Sequence, residues 1–275
     1  MIADASRHFN RVVGIDLGGG KGKHTAVAIG EVTPTGLEIQ HYGTRGAGGL
    51  PYYDHVLCDL LAAQPPRTLV AMGAPLGLPA CVRCTLARCP GISACADPAV
   101  KWMVGQGVAL ERTHRPRAPR NKPLITPYTQ RVCEILLRCQ KNILPRETLG
   151  QGMGPLTARA HHLSKAVAPR YRLGESLIEV YPKATIHQLA GSETARHYKR
   201  HPSTWALRAG LLEQWAGSLE FATWREESLR CDHSFDAVVC AYTGYLWATC
   251  GWILPDDYSE IAAVEGWIWI PQARA

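Results

Sequence analysis

No stretch of this 275-residue chain approaches the run of about 18 apolar residues that a membrane-spanning helix requires, so no membrane partner is expected. The opening segment MIADASRHFNRVV lacks the basic region and long apolar stretch of a secretory signal. Internal repeats and low-complexity tracts are also missing, which excludes solenoid and linker architectures. Ten cysteines without an export signal point to a reducing, cytoplasmic setting, where cysteine spacing speaks of metal or chemistry rather than disulfides.

With 46% hydrophobic residues, the chain can bury a full core without staples. RVVGIDLGG has the β-branched run and glycine stop of a first strand, and HTAVAIGEV with GLEIQHYG reads as a hairpin-linked second and third. YYDHVLCDLLAA has helical spacing, with Val56, Leu57, Leu60 and Leu61 on one face, and RTLVAM returns as a strand. This β-β-β-α-β opening is followed by a helix over TQRVCEILLRCQ, a short strand SLIEVYP and a largely helical remainder over KATIHQLAG, STWALRAGLLEQWAG and SFDAVVCAYTGYLWATCG. The expectation is an α/β fold in one domain, 1–275, with an inserted segment at 80–127 that is rich in Pro, Cys and Arg and poor in periodicity.

Two features of that insert stand out. Cys81, Cys84, Cys89 and Cys95 form C-x2-C-x4-C-x5-C, close enough to converge on one centre. A [4Fe–4S] cluster is one reading, with Pro90 after Cys89 as in Cys-Pro ligation. Zn2+ in a knuckle-like site is another, and four reduced thiols a third. The remaining cysteines, Cys58, Cys133, Cys139, Cys231, Cys240 and Cys250, mostly lie on expected helices and read as small buried hydrophobes. The second feature is ERTHRPRAPRNKP, where Arg112, Arg115, Arg117, Arg120 and Lys122 stand against the single acid Glu111. Such a proline-spaced basic run either grips phosphates of DNA or RNA or is a solvated loop.

Three further places could carry chemistry. Asp16 ends the first strand in GIDLGGGKGK, where glycines admit a ligand to the backbone or simply form a turn. Glu179 is an acid inside an apolar strand, costly to bury unpaired, unless it lies on the polar side of an alternating strand. Asp232, His233 and Asp236 open the last strong helix. Asp232 suits an N-cap, whereas Asp236 precedes Ala-Val-Val-Cys-Ala on the packing face, where an acid is hard to explain as decoration.

In the order GIDLGGGKGKHTAVAI, AMGAPLGLP, LIEVYPKAT, FDAVVCAYTGYLWA and EGWIWIP, the chain resembles domain-of-unknown-function family 429, described as predicted nucleases of RNase H-like fold. That resemblance implies three antiparallel strands continuing into parallel ones, and Asp16, Glu179 and Asp236 as a carboxylate triad holding Mg2+ or Mn2+, with His233 as a fourth ligand or base. It departs from the pattern at one point: the family commonly has Ile-Asp-Ala-Pro where this chain has Met72, Gly73, Ala74 and Pro75, so the acid of the fourth strand is absent. A resolvase-like branch of the superfamily also has a Gly-x-Pro turn there. The implied activity is metal-dependent phosphodiester hydrolysis on nucleic acid, against two alternatives. One is a catalytically silent nucleic-acid-binding module with a structural metal cluster. The other is an actin-like ATPase or kinase relative, which GIDLGGGKGK also resembles but for which no second nucleotide-binding half is found.

Overall fold

The structure, a computed structural model, describes residues 9–271 other than 21–23, 120, 200–203, 224–225, 227–229 and 251–255. The first three apolar segments become β1 (Arg11–Asp16), β2 (Ala26–Val32) and β3 (Leu37–Gly43), paired antiparallel in sequence order. Helix α1 (Asp54–Ala62) then leads into β4 (Thr68–Met72), parallel to β1. The chain passes through α2 (Ala80–Arg83), α3 (Pro98–Trp102), α4 (Val108–His114), α5 (Val132–Lys141) and α6 (Gly154–Ala166), and re-enters the sheet as β5 (Leu177–Val180) beside β4. Beyond α7 (Pro182–His197) and α8 (Thr204–Gln214), β6 (Leu219–Phe221) adds to β3. Last come α9 (Asp232–Cys250), α10 (Ser259–Glu265) and β7 (Ile268–Trp269), which adds to β5. The result is a mixed, seven-stranded α/β sheet in the order β6-β3-β2-β1-β4-β5-β7, flanked by helices.

Strand side chains alternate between two faces, and the buried clusters follow that alternation. Val12, Leu69, Ala71, Ile178 and Val180 pack with α9 on one face, while Val13, Ile15, Val70, Met72 and Leu177 pack with α1 and α6 on the other. Helix α9 lies unusually close to the sheet because the contact is made of small residues. A Cβ at Gly14 would sit 2.2 Å from the Ala237 carbonyl oxygen, and one at Gly244 would sit 2.8 Å from Val12 Cγ1. With Ala237 over Gly14 and Gly244 over Val12, α9 runs against the direction of β1, so its N-terminus lies beyond the carboxyl end of β1, beside Asp16.

The insert is more ordered than its composition suggests. Asp97 accepts N–H bonds from Ala99 at 2.9 Å and Val100 at 3.3 Å, Pro98 takes the first helical turn, and α3 continues into α4 through a π-helical turn at Met103–Gly107. The expected aperiodic stretch is therefore helical from Pro98 to His114. Among the described residues no helix is long and apolar enough to cross a membrane.

Candidate active site at the carboxyl end of the first strand

Asp16, Gly14 and Val12 point to the α9 face of the sheet, and the register carries that assignment across β4 and β5. Ile15 pairs with Met72, and Met72 with Glu179. Asp16 is thus level with Gly73 and shares its face, whereas Glu179 is in register with Ile15 and Met72, whose side chains turn to the opposite face. A single register position separates the two acids by the thickness of the sheet.

On the α9 face the acids converge. His233 Nδ1 lies 2.7 Å from Asp16 Oδ2, and the ring stacks on His24 with centroids 5.2 Å apart. That hydrogen bond raises the His233 pKa above its ordinary value, against the opposing effect of partial burial. One helical turn later, Asp236 is only 3% exposed. Its Oδ1 accepts a 3.1 Å bond from Tyr198 Oη, and its Oδ2 forms an ion pair with Lys199 Nζ. Burial first, and the nearby Asp16 charge second, push the Asp236 carboxyl up to about 7, although Lys199 and Tyr198 pull it down. Burial lowers the Lys199 pKa, but Asp236 outweighs it, with Asp16 and Asp232 adding to the rise. Burial and Asp236 together hold the Tyr198 phenol well above its usual value.

Gly73 borders this cluster. A Cβ there would meet Cys240 Sγ at 3.1 Å and the Ile15 carbonyl oxygen at 3.3 Å. A side chain at this position would press on the cysteine of α9, which would have to give by a few tenths of an ångström.

Glu179 has a different environment. Its Oε1 and Oε2 accept bonds from Arg131 Nη2 at 2.5 Å and Nη1 at 2.8 Å, and Oε2 also accepts Leu76 N–H at 2.9 Å. Arg131 is fully buried and further bonded to Glu134 and to the Glu265 carbonyl oxygen. The fork-to-fork pair and the backbone donor satisfy Glu179 as a structural anion. It pins the turn that leaves β4 and does not join Asp16 and Asp236.

Asp16 and Asp236 offer the hard oxygen donors that Mg2+ or Mn2+ prefers, and a metal held there would take the place of Lys199 on Asp236 Oδ2. The three-carboxylate set does not fit, because Glu179 is on the other face. Among the described residues no three His, Cys, Asp or Glu side chains stand together at metal-holding distance.

Cys84 and Cys89 are exposed and Cys95 half-buried, on the loop between α2 and α3. Of the other six cysteines, Cys133 and Cys240 are buried as expected, whereas Cys58, Cys139 and Cys231 are half-buried and Cys250 is exposed. In the basic segment Arg112, Arg115 and Lys122 line a cavity of about 150 Å3. Arg115 is committed, through Nε at 2.8 Å, to Glu111 and through Nη2 to the Leu124 carbonyl. Arg117 is exposed, and Arg120 lies outside the described residues.

Tyr198 and Lys199 are site residues that the sequence reading missed. They follow the last turn of α7 in HYKRHP, where a basic run reads as a helix C-terminus and gives no hint that it folds back over the start of α9.

A family model described as a protein of unknown function (DUF429) matches residues 14–259, a span that includes Asp16, Lys199, His233 and Asp236. No curated protein and no solved structure matches the chain. The chain belongs to the DUF429 family.

Proposed function

We propose that the chain is a phosphodiester hydrolase acting on nucleic acid, with its reacting group held between Asp16 and Asp236. The observation that carries this reading is Asp236: a carboxyl buried at 3% exposure beside a second acid, its pKa pushed up to about 7. Two acids forced together cost stability and are found where chemistry needs them. The antiparallel-then-parallel strand order and the placement of the last helix against β1 support the RNase H-like plan on which the reading rests.

The chain's own groups have distinct tasks. Asp16 fixes His233 through Nδ1, leaving Nε2 to take a proton from water or return one to the leaving oxygen. Lys199 Nζ, partly exposed, places positive charge where a phosphate would enter. Tyr198 holds one Asp236 oxygen and so orients the other. Mg2+ or Mn2+, held by Asp16 and Asp236, would supply Lewis-acid polarisation of the phosphoryl oxygen. Arg112, Arg117 and Lys122 would add phosphate grip along the insert.

Cleavage of single-stranded and duplex DNA and RNA in Mn2+ tests this reading. Cutting should fall by about 10^2 to 10^4 in Asp16→Asn. Salt-sensitive binding without any cutting would overturn it in favour of the silent binding module, which Gly73 and the Cys240 sulfur beside it favour.

A further inference from the structure

We propose that Cys81, Cys84, Cys89 and Cys95 form a four-thiolate centre for one thiophilic metal group, a zinc ion or an iron–sulfur cluster, which closes the loop between α2 and α3. Between its two ends the loop is not packed against the rest of the chain. Every residue from Cys84 to Ala94 is exposed, and its large apolar side chains, Leu86 at 62% and Ile92 at 42%, contribute nothing to a core. Cys81 N–H reaches the Pro127 carbonyl oxygen at 3.1 Å, and the other backbone hydrogen bonds at the two ends are local, from Val82 and Arg83 to Pro79 and from Ala94 and Cys95 to Gly91 and Ile92. An exposed loop of this length with unburied leucine and isoleucine needs a crosslink to be ordered.

The geometry brings together the two ends of the loop that carries the four sulfurs. Arg83, between the first two cysteines, forms a 3.0 Å ion pair with Asp97, two residues past the last. This ties the neck of the loop. At the same neck, Cys95 packs against the apolar cluster that contains Ala80, the residue before Cys81. Beyond the neck, Gly91 at φ +91° donates its N–H to Cys89 Sγ at 3.4 Å. The sulfurs are not drawn up to ligand spacing. Cys84 and Cys89 are exposed and have no packing to break when they turn inward. Binding of Zn2+ or of a preassembled cluster would release the thiol protons and leave the metal oxidation state unchanged.

The centre is separate from the acid site, so its failure and the failure of the hydrolase reading are distinguishable. The experiment uses the full chain purified without oxygen, with metal and sulfide analysis and a visible spectrum. About one zinc per chain, or about four iron with matching sulfide and visible absorption, supports the proposal and identifies the occupant. Cys84→Ser and Cys89→Ser should each lose most of that content, and Cys250→Ser should retain it. In case serine variants misfold, wild-type protein stripped by a chelator should become susceptible to proteolysis between Cys84 and Cys95 and regain resistance on adding Zn2+, or ferric iron with sulfide and a thiol reductant that supplies the electrons for cluster assembly. Wild-type protein that holds neither group and takes up neither on reconstitution overturns the proposal, as does full retention in both serine variants.

Discussion

The two sides of the sheet's carboxyl edge treat buried acids in opposite ways. On the β5 side, Glu179 is enclosed by Arg131 and a backbone N–H, and Glu134 completes the network by accepting the Thr148 N–H at 3.0 Å. On the β1 side, Asp236 is as deeply buried, but it sits beside Asp16, and its partners are one partly exposed lysine and the neutral Tyr198 hydroxyl. The first arrangement fixes a turn in place. The second keeps two protonation states close in energy, which is useful only if a ligand or proton arrives. Burial and ionisability alone therefore do not mark a site; what separates the two acids is whether the charge is already fully answered.

The largest effect should come from Arg131. Arg131→Met strands Glu179 and Glu134 without their cation, and breaking a buried pair from one side costs about 3–5 kcal/mol. Denaturant unfolding should show a loss of that order. A loss below about 1 kcal/mol would mean that Glu179 is solvated or otherwise paired, and the contrast between the two sides would collapse.

Next in size is a pH effect at Glu265, at the end of α10. Its Oε2 accepts the Val132 N–H at 2.9 Å, while its Oε1 is buried without a partner. Burial pushes its carboxyl up to about 7 from 4.5. The folded chain thus keeps a proton that the unfolded chain releases, so stability is greatest below about 4.5 and falls as pH rises through about 7. The fall attributable to this group is at most about 3 kcal/mol. Glu265→Gln should flatten that slope and be the more stable protein at pH 8. An unchanged slope would show that the carboxyl titrates normally.

A smaller effect sharpens the contrast itself. Asp236→Asn removes a buried charge crowded by Asp16, so folding stability at neutral pH should stay level or rise by about 1 kcal/mol, in keeping with the stability cost of functional groups. Glu179→Gln, by comparison, should destabilise. If both variants lose stability equally, the two acids are both structural.

Much of this architecture could be read from pattern. Apolar, β-branched runs with glycine stops mark β1 to β4, and the packing face of α9 with an acid at its start picks out Asp236, with His233 three residues before it on the same face. Sequence could not supply pairings across distance. Glu179 was recognised as needing a partner, but that partner, Arg131, is 48 positions away, at the start of a helix with no local link to β5. The face of Glu179 depended on register with β4, which its four-residue strand does not encode. The helical stretch from Pro98 was legible in principle, since Asp97-Pro98 is a helix-start signature, but the surrounding cysteines and prolines obscured it. Strand β7, two residues long, carries no periodicity to read.

The central claim, that Asp16 and Asp236 form the functional pair and Glu179 does not, is tested most directly by Mn2+ binding measured by electron paramagnetic resonance. The wild-type protein should bind Mn2+, Asp16→Asn and Asp236→Asn should each abolish the site, and folded Glu179→Gln should retain it. Loss of Mn2+ in folded Glu179→Gln, or its retention in both aspartate variants, would contradict the account.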